Sequence, residues 1–403
     1  MEWSYNKLNK KGDKMKDKKL NIGLFLDTWY PIIDGVTNVV NNYAIELSKY
    51  ANVTVFTCGT KKEDTRVYPY KVVRGGSIAT KFLDYEIPTV TKSLKKAIKD
   101  ANLDIMHTHS PFSLGKLAVK MGKKYNIPVV GSVHSQYYQD FMRYTKNKFI
   151  SKRLLSAIVK VYNACDKMYA PCQQTVDIVE KEYGIKDVSV QENATSLKPL
   201  ENPQVAFEYY EEKYNIKKDE KVLLFLGRIN KIKNLEFMID ALAKLKEMGQ
   251  KFKMLFVGSG SDSEELQAKV KSLGLDDCVL FTGRASDEEV VFAYARADLF
   301  LFPSLYDTSS LVQIEAASQK TPTLFIRGSS TSCSILENVN GFMAKDDVED
   351  YAKRIYEILN DDKLYKEVCE NAYRDLYKSW DEAVGVMYQK YLKIIEDYKN
   401  KNK

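Results

Sequence analysis

At 403 residues the chain is too long for one ordinary hydrophobic core and suits two α/β units, and its 44% hydrophobic and 29% charged residues can bury both and keep a charged surface. No run of about 18 apolar residues occurs, and six scattered cysteines (Cys58, Cys165, Cys172, Cys278, Cys333, Cys369) without a CxxC pair argue for reduced thiols rather than a disulfide frame or a zinc site. The net charge of +7 conceals an asymmetry: residues 1–200 carry 32 Lys+Arg against 19 Asp+Glu, the remainder 29 against 35, so the first half asks for an anionic partner (a membrane surface, a phosphorylated acceptor or nucleic acid), and with no nucleic-acid module present the membrane surface is preferred.

Residues 1–18 are lysine-rich and lack an apolar stretch, which reads as a flexible basic tail rather than a signal peptide. Asn21–Leu26 then reads as a buried strand. The segment from Asp27 to Gly35 reads as a turn into a helix, where Gly35 would let backbone amides approach an anion; the plain alternative is an ordinary strand–helix turn. Val53–Thr57, Asp104–His107 and Val129–Val133 continue as strands, with helices starting near Thr91 and Ser113. His107, His109 and His134 all fall at strand ends. His107 and His109 go with one strand and His134 with another, without evident carboxylate partners, and no Asp-x-Asp triplet exists, so no metal site is expected. His134 reads as a hydrogen-bonding residue at a cleft and His107 as structural.

Over Lys146–Tyr169 a helical projection places Ile150, Leu154, Ile158, Val161, Cys165 and Met168 on one arc, with Lys146, Lys152, Arg153, Lys160 and Lys167 opposite. That is the layout of an interfacial helix meeting anionic headgroups, although for the helix alone packing against its own domain is the simpler reading. The acidic, strand-poor stretch at Glu201–Glu220 places a linker near residues 198–215, dividing residues 19–200 from 201–378. Lys221–Leu226, Met254–Val257, Val279–Thr282, Leu299–Phe302 and Thr323–Ile326 then read as a second set of buried parallel strands. A last helix, within residues 379–403, carries apolar Val384, Met387, Tyr391 and Ile394 and is expected to cross back to the first unit.

Two doubly wound units leave one evident ligand site, the cleft between the C-terminal ends of their strands. Arg228 and Lys233 follow the strand Lys221–Leu226 and can clamp both phosphates of a diphosphate, a planar fork and a point charge; the alternative is a solvated basic turn. Gly258 and Gly260 form a lone GxG that does not continue as a dinucleotide fingerprint and reads equally as a tight turn. After Phe302, a polar loop through Asp307, Thr308, Ser309 and Ser310 leads to a helix at Leu311 carrying Glu315. Its amides suit an anionic or hydroxyl-rich ligand and Glu315 suits ribose hydroxyls, while capping alone would explain the Asp, Thr and Ser.

In this order the elements resemble the GT-B-fold, family 4 retaining glycosyltransferases from about Leu20 to Tyr391, chiefly on Gly227-Arg228…Lys233-Asn234, on the Asp307…Glu315 spacing and on Val133-His134-Ser135. The segments His107–Phe112 and His134–Tyr138 look similar to those of bacterial enzymes that glucosylate diacylglycerol. The resemblance implies that Gly35 offers its amide to the donor diphosphate, that Arg228 and Lys233 neutralise it, that Glu315 holds the ribose, that Arg284 lies by the base and that His134 sits beside the transferred sugar. Asp307 stands where the family has Glu, and would position the sugar; Ser310 stands where it has Gly. The turn Arg327-Gly328-Ser329-Ser330 and the hinge segment Glu192–Thr195 also depart from the family pattern. The expectation is a metal- and cofactor-independent transfer of a hexose, from UDP-glucose or a similar nucleotide diphosphate sugar, with retention, to a diacylglycerol-type lipid or a cell-envelope glycan. It is set in the cytoplasm, with peripheral attachment to the inner face of the cell membrane. The rivals are a catalytically degenerate sugar-nucleotide-binding subunit, raised by Asp307 and Ser310, and a GT-B enzyme of another reaction such as an epimerase or phosphorylase. Retention of both Arg228 and Lys233 favours catalysis.

Overall fold

The structure, a computed structural model, describes residues 19–32, 34–59, 64–78, 86–305 and 311–402; the expected basic tail over residues 1–18 lies outside them. The first half contains the strands β1 (Asn21–Phe25), β2 (Asn52–Thr57), β3 (Lys71–Arg74), β4 (Gly76–Ile78), β5 (Ile87–Thr89), β6 (Ile105–Thr108), β7 (Val129–Ser132), β8 (Lys167–Ala170) and β9 (Val188–Val190). Its helices are α1 (Gly35–Leu47), α2 (Lys92–Asp100), α3 (Ser113–Tyr125), α4 (Tyr137–Thr145), α5 (Lys148–Tyr162) and α6 (Gln173–Lys181). The second half adds β10 (Val222–Leu226), β11 (Lys253–Val257), β12 (Val279–Gly283), β13 (Leu299–Phe302), β14 (Thr323–Ile326) and β15 (Phe342–Ala344). With them come α7 (Gln204–Tyr214), α8 (Leu235–Glu247), α9 (Ser263–Ser272), α10 (Asp287–Arg296), α11 (Leu311–Ser318), α12 (Val348–Asn360), α13 (Asp362–Leu376) and α14 (Trp380–Lys401).

These strands build two parallel sheets, ordered β3-β2-β1-β6-β7-β8-β9 and β12-β11-β10-β13-β14-β15, while β4 and β5 pair antiparallel apart from them. Parallel pairing needs a crossover for each strand and leaves both sheet faces covered by helices, which is why strands such as Val222–Phe225 are apolar and buried throughout. In each sheet the chain winds outward on one side and returns on the other, reversing between β1 and β6 and between β10 and β13. Crevices therefore open at the carboxyl ends of those four strands.

Two sequence expectations are corrected. The single helix expected over Lys146–Tyr169 ends at Tyr162, and Lys167–Ala170 is instead β8, paired between β7 and β9 with Met168, Tyr169 and Ala170 buried. A four-residue apolar run carries too little periodicity to separate strand from helix. The linker expected near residues 198–215 is largely the helix α7, whose Ala206 and Tyr210 belong to the second core.

The C-terminal helix crosses back as expected. Ser379 and Glu382 form a capping box at its start, and Trp380, Val384, Met387, Tyr391 and Ile395 join Val39, Val40 and Tyr43 of α1 in the first core. The outgoing and returning segments meet where the Thr195 amide donates to the Lys378 carbonyl at 3.0 Å. Deeper in, the Tyr391 hydroxyl pairs with His107 Nδ1, and His107 Nε2 lies 2.8 Å from Ser132 Oγ, so both ring nitrogens of this fully buried histidine are partnered. That agrees with the structural reading of His107.

Burial lowers the His107 pKa to about 3 and the His134 pKa to about 4, and holds His109 well below its ordinary value. Unfolded, all three would titrate near 6.5, so unfolding takes up protons below that pH and stability falls as pH drops from about 6.5 towards 4. For His107 and His134 the cost is on the order of 2 kcal/mol each between pH 7 and pH 5. Urea unfolding at the two pH values should show a smaller acid loss in His107→Gln than in the wild type; an equal loss in both would exclude His107 as a contributor.

Candidate functional site

The loops leaving β1, β6 and β7 form one wall of the crevice. Gly35 opens α1, where Asp34 Oδ1 accepts the Thr37 amide at 2.7 Å, and the space a side chain at Gly35 would occupy is open. Nothing in the fold's own packing needs a glycine there, and its amide is left approachable. After β6, Ser110 and the Leu114 amide (3.0 Å) both donate to the buried carboxyl of Asp27, which desolvation pushes above the usual carboxylate range. This bond ties the β1 loop to the start of α3.

His134 follows β7, with its Nε2 3.0 Å from His109 Nδ1 and the two rings stacked 5.2 Å apart at 19°. Both rings are neutral near pH 7, so one must donate to the other and their tautomers are set jointly. His109 had been given no role from sequence. The signal was available: residues two apart in a strand share a face, and His107 and His109 lie 4.0 Å apart, centroid to centroid.

The facing wall comes from the second sheet. Arg228 and Lys233 lie in the loop after β10, Arg228 exposed and Lys233 half-buried with its ammonium 5.2 Å from the Phe302 ring centroid. This loop is latched to the segment after β13, where Ser304 Oγ donates to the Ile232 carbonyl at 3.3 Å and Asn234 Nδ2 to the Pro303 carbonyl at 3.5 Å. Its other flank rests on β11: the Gly227 amide donates to the Val257 carbonyl at 3.0 Å and the Ile229 amide to the Ser259 carbonyl at 3.2 Å. A Cβ at Gly258 would lie 1.9 Å from the Gly227 carbonyl oxygen, and one at Gly260 1.8 Å from that of Ile229. The GxG is thus a close backbone approach that fixes the Arg228 loop. One strand further out, Arg284 Nε donates to Ser259 Oγ at 3.0 Å. Arg228, Lys233 and Arg284 therefore share one sheet edge.

Glu315 lies one turn into α11, where its Oε2 accepts the Tyr294 hydroxyl at 3.0 Å and burial raises its carboxyl pKa. With Leu311 and Leu226 it lines a cavity of about 1100 Å³ that reaches Asn38 and Asn41 of α1. The two walls also touch directly, since Gln136 Nε2, two residues past His134, donates to Ser330 Oγ in the altered turn after β14. Asp307, Ser309 and Ser310 lie outside the described residues, as does Thr308. Among the described residues no group of three or more His, Cys, Asp or Glu side chains is placed to hold a metal ion, and no helix is long and apolar enough to cross a membrane.

The backbone approach at Gly260 yields a direct expectation. Gly260→Ala must displace the Ile229 carbonyl, so it should lower stability by about 1–3 kcal/mol in chemical denaturation and disturb the Arg228 loop. Wild-type stability would refute the tight-approach role.

Two family profiles cover most of the chain: Glycosyltransferase Family 4 over residues 33–198 and Glycosyl transferases group 1 over residues 207–375. The chain is 29% identical over 314 residues to alpha-monoglucosyldiacylglycerol synthase of Streptococcus pneumoniae, spanning 76% of this chain and 70% of that protein. Among solved structures it is similar to sucrose-phosphate synthase of Thermosynechococcus elongatus (TM-score 0.76, 18% identity, 93% and 99% of the two chains). It is also similar to HepE of Anabaena in complex with UDP (TM-score 0.74, 16% identity, again 93% and 99%). With two facing parallel sheets, a returning C-terminal helix and both profiles in sequence order, the chain belongs to the GT-B-fold, family 4-type glycosyltransferases.

Proposed function

We propose that the protein transfers glucose from UDP-glucose, with retention, to a diacylglycerol-type lipid presented at an anionic membrane surface on the cytoplasmic side. The observation that carries this reading is the Arg228–Lys233 loop, held at the carboxyl edge of one sheet by bonds on both flanks, while that sheet's Ser330 turn meets Gln136 beside His134 of the other. The solved neighbour HepE binds UDP, and the pneumococcal relative is a monoglucosyldiacylglycerol synthase; both support the choice of donor and acceptor.

In this reading Arg228 forks onto the donor diphosphate, Lys233 adds a point charge, and the Gly35 amide completes the cradle at the α1 N-terminus. Charge developing on the departing nucleoside diphosphate meets cations already in place, a contribution that needs no reorganisation during the reaction. Glu315 keeps Oε1 for the ribose hydroxyls while Oε2 holds Tyr294, and Arg284 borders the base. His134, neutral and braced by His109, hydrogen-bonds the transferred sugar, which Asp307 and the amides of Ser309, Ser310 and Leu311 would hold. The acceptor hydroxyl attacks the anomeric carbon from the face that the leaving group vacates, and its proton passes to the departing phosphate oxygen. Arg228→Ala should lower turnover by on the order of 10²-fold or more in an EDTA-containing assay with UDP-glucose and diacylglycerol. Unchanged turnover and donor affinity would remove the clamp.

The membrane contact is assigned to the first turns of α5. Ile158 and Tyr162 are buried in their own core and Val161 is buried beside the groove, but Phe149 is 74% exposed, and Ile150, Leu154 and Tyr144 are also exposed. Lys116 and Lys120 of α3 join Lys152, Arg153 and Lys160 around a groove of about 900 Å³ beside Phe149. Each cation near an anionic surface adds roughly 1 kcal/mol, enough together for reversible attachment. The protein should co-sediment with anionic vesicles and release at high salt, and Phe149→Ser with Leu154→Ser should weaken binding at least tenfold. Equal partitioning to neutral and anionic vesicles would overturn the anionic contact, and partitioning to neither would point to a non-membrane acceptor.

A further inference from the structure

The sequence offers six unpaired cysteines, and the fold brings two of them together across the two halves. Cys172 follows β8 of the first sheet and immediately precedes α6; Cys333 closes the short turn Ser330–Ser332 that follows β14 of the second. Both thiols line one cavity of about 320 Å³ between the halves, with Glu192 and Lys378 of the two crossing segments, near enough for each to be the first influence on the other's acidity. Cys172 Sγ is also 3.4 Å from Thr175 Oγ1 and faces the first amides of α6. These donors, with the Cys333 S–H first among them, lower the Cys172 thiol and raise that of Cys333. Cys172 is therefore the sulfur that holds negative charge. The remaining thiols contrast with it: burial raises Cys58 and Cys165 to about 12 and Cys278 and Cys369 to about 11.

We propose that Cys172 and Cys333 form an oxidative modification site whose product is a disulfide stapling the two sheets across the crevice. The oxidant is a small hydroperoxide, which the cavity admits. The Cys172 thiolate attacks one peroxide oxygen, the O–O bond breaks, and a sulfenic acid and hydroxide result. Cys333 sulfur then displaces the sulfenic hydroxyl as the S–S bond forms, and its proton leaves with the oxygen as water. In sum two thiols and one hydrogen peroxide become one disulfide and two waters, with two electrons passing from sulfur to oxygen. The staple lies beside the Gln136–Ser330 contact, the point where the two walls of the site already touch. It would hold fixed the spacing through which a donor must enter and its nucleotide leave.

The test uses the full chain treated with hydrogen peroxide, quenched with an alkylating agent and digested with trypsin without reduction. Residues 168–181 and 328–345 fall in separate tryptic peptides, each with one cysteine, and Cys165 in a third. The expected product is the 168–181/328–345 cross-link, with two of the six thiols lost, and with no such link in Cys172→Ser or Cys333→Ser. No cross-link, or pairing of either cysteine with Cys165 in comparable yield, overturns the proposal. This readout needs no sugar donor, so it stands apart from the transferase reading on which the second arm rests. There, turnover should fall at least tenfold in step with cross-linking and return with dithiothreitol, whereas Cys333→Ser should not lose activity reversibly. A fully cross-linked wild type with undiminished turnover overturns the staple.

Discussion

The chain crosses between its two sheets twice, and every feature of the site depends on those crossings being held together. The outgoing segment meets the returning one at the Thr195–Lys378 backbone bond, and flanking contacts extend the seam: Gln191 Nε2 donates to the Ala383 carbonyl at 3.1 Å, and Lys390 reaches the Val190 carbonyl at 3.1 Å and Gln191 Oε1 at 2.8 Å. Beyond this seam α14 is committed to the first core. Trp380, Val384, Met387 and Tyr391 are fully or nearly fully buried there, and removing them would open a cavity alongside α1. Two sheets joined by a single segment would pivot freely, whereas two crossings pinned at one place restrict the movement to a hinge. The crevice at the strand ends can then open and close only about that hinge.

Within each wall, precision comes from backbone contacts together with polar side chains that bind the neighbouring loops. The Arg228 loop is held by the Gly227 and Ile229 amides on one flank and by Ser304 and Asn234 on the other. The glycines at 258 and 260 are needed because a neighbouring carbonyl occupies the space of their absent Cβ atoms. On the opposite wall the buried Asp27 carboxyl and the stacked pair His109 and His134 do the same for the β1 and β7 loops. A parallel sheet gathers all these loops at one edge, so residues far apart in sequence meet without long excursions of chain.

α5 divides its apolar surface between two tasks. Its last turns fill the core beside β8, while its first turns leave Phe149, Ile150 and Leu154 outward among lysines and arginines. A helix that spent its whole apolar arc on the core would leave no such edge. The division follows from the helix ending at Tyr162, so that Lys167–Ala170 can enter the sheet as β8.

Much of the architecture was legible in the residues themselves. Apolar runs such as Val222–Leu226 and Leu299–Phe302 leave little choice but buried parallel strands, and cations or glycines placed directly after them mark the crevice, because a parallel sheet puts every such turn at one edge. Short elements were not legible. Lys167–Ala170 was read into a helix and Gln204–Tyr214 into a linker, since a few residues carry no decisive period and their class is decided by what they pack against. The partnership of His109 with His134, the Glu315–Tyr294 bond and the meeting of Cys172 with Cys333 are likewise absent from any local pattern. Each joins separate elements, and its geometry exists only once strand order and the two crossings have fixed which loops face each other. The sequence by itself determined that there would be two sheets with a basic edge; the tertiary structure alone decided which side chains that edge confronts, because distance across a crevice is a property of packing.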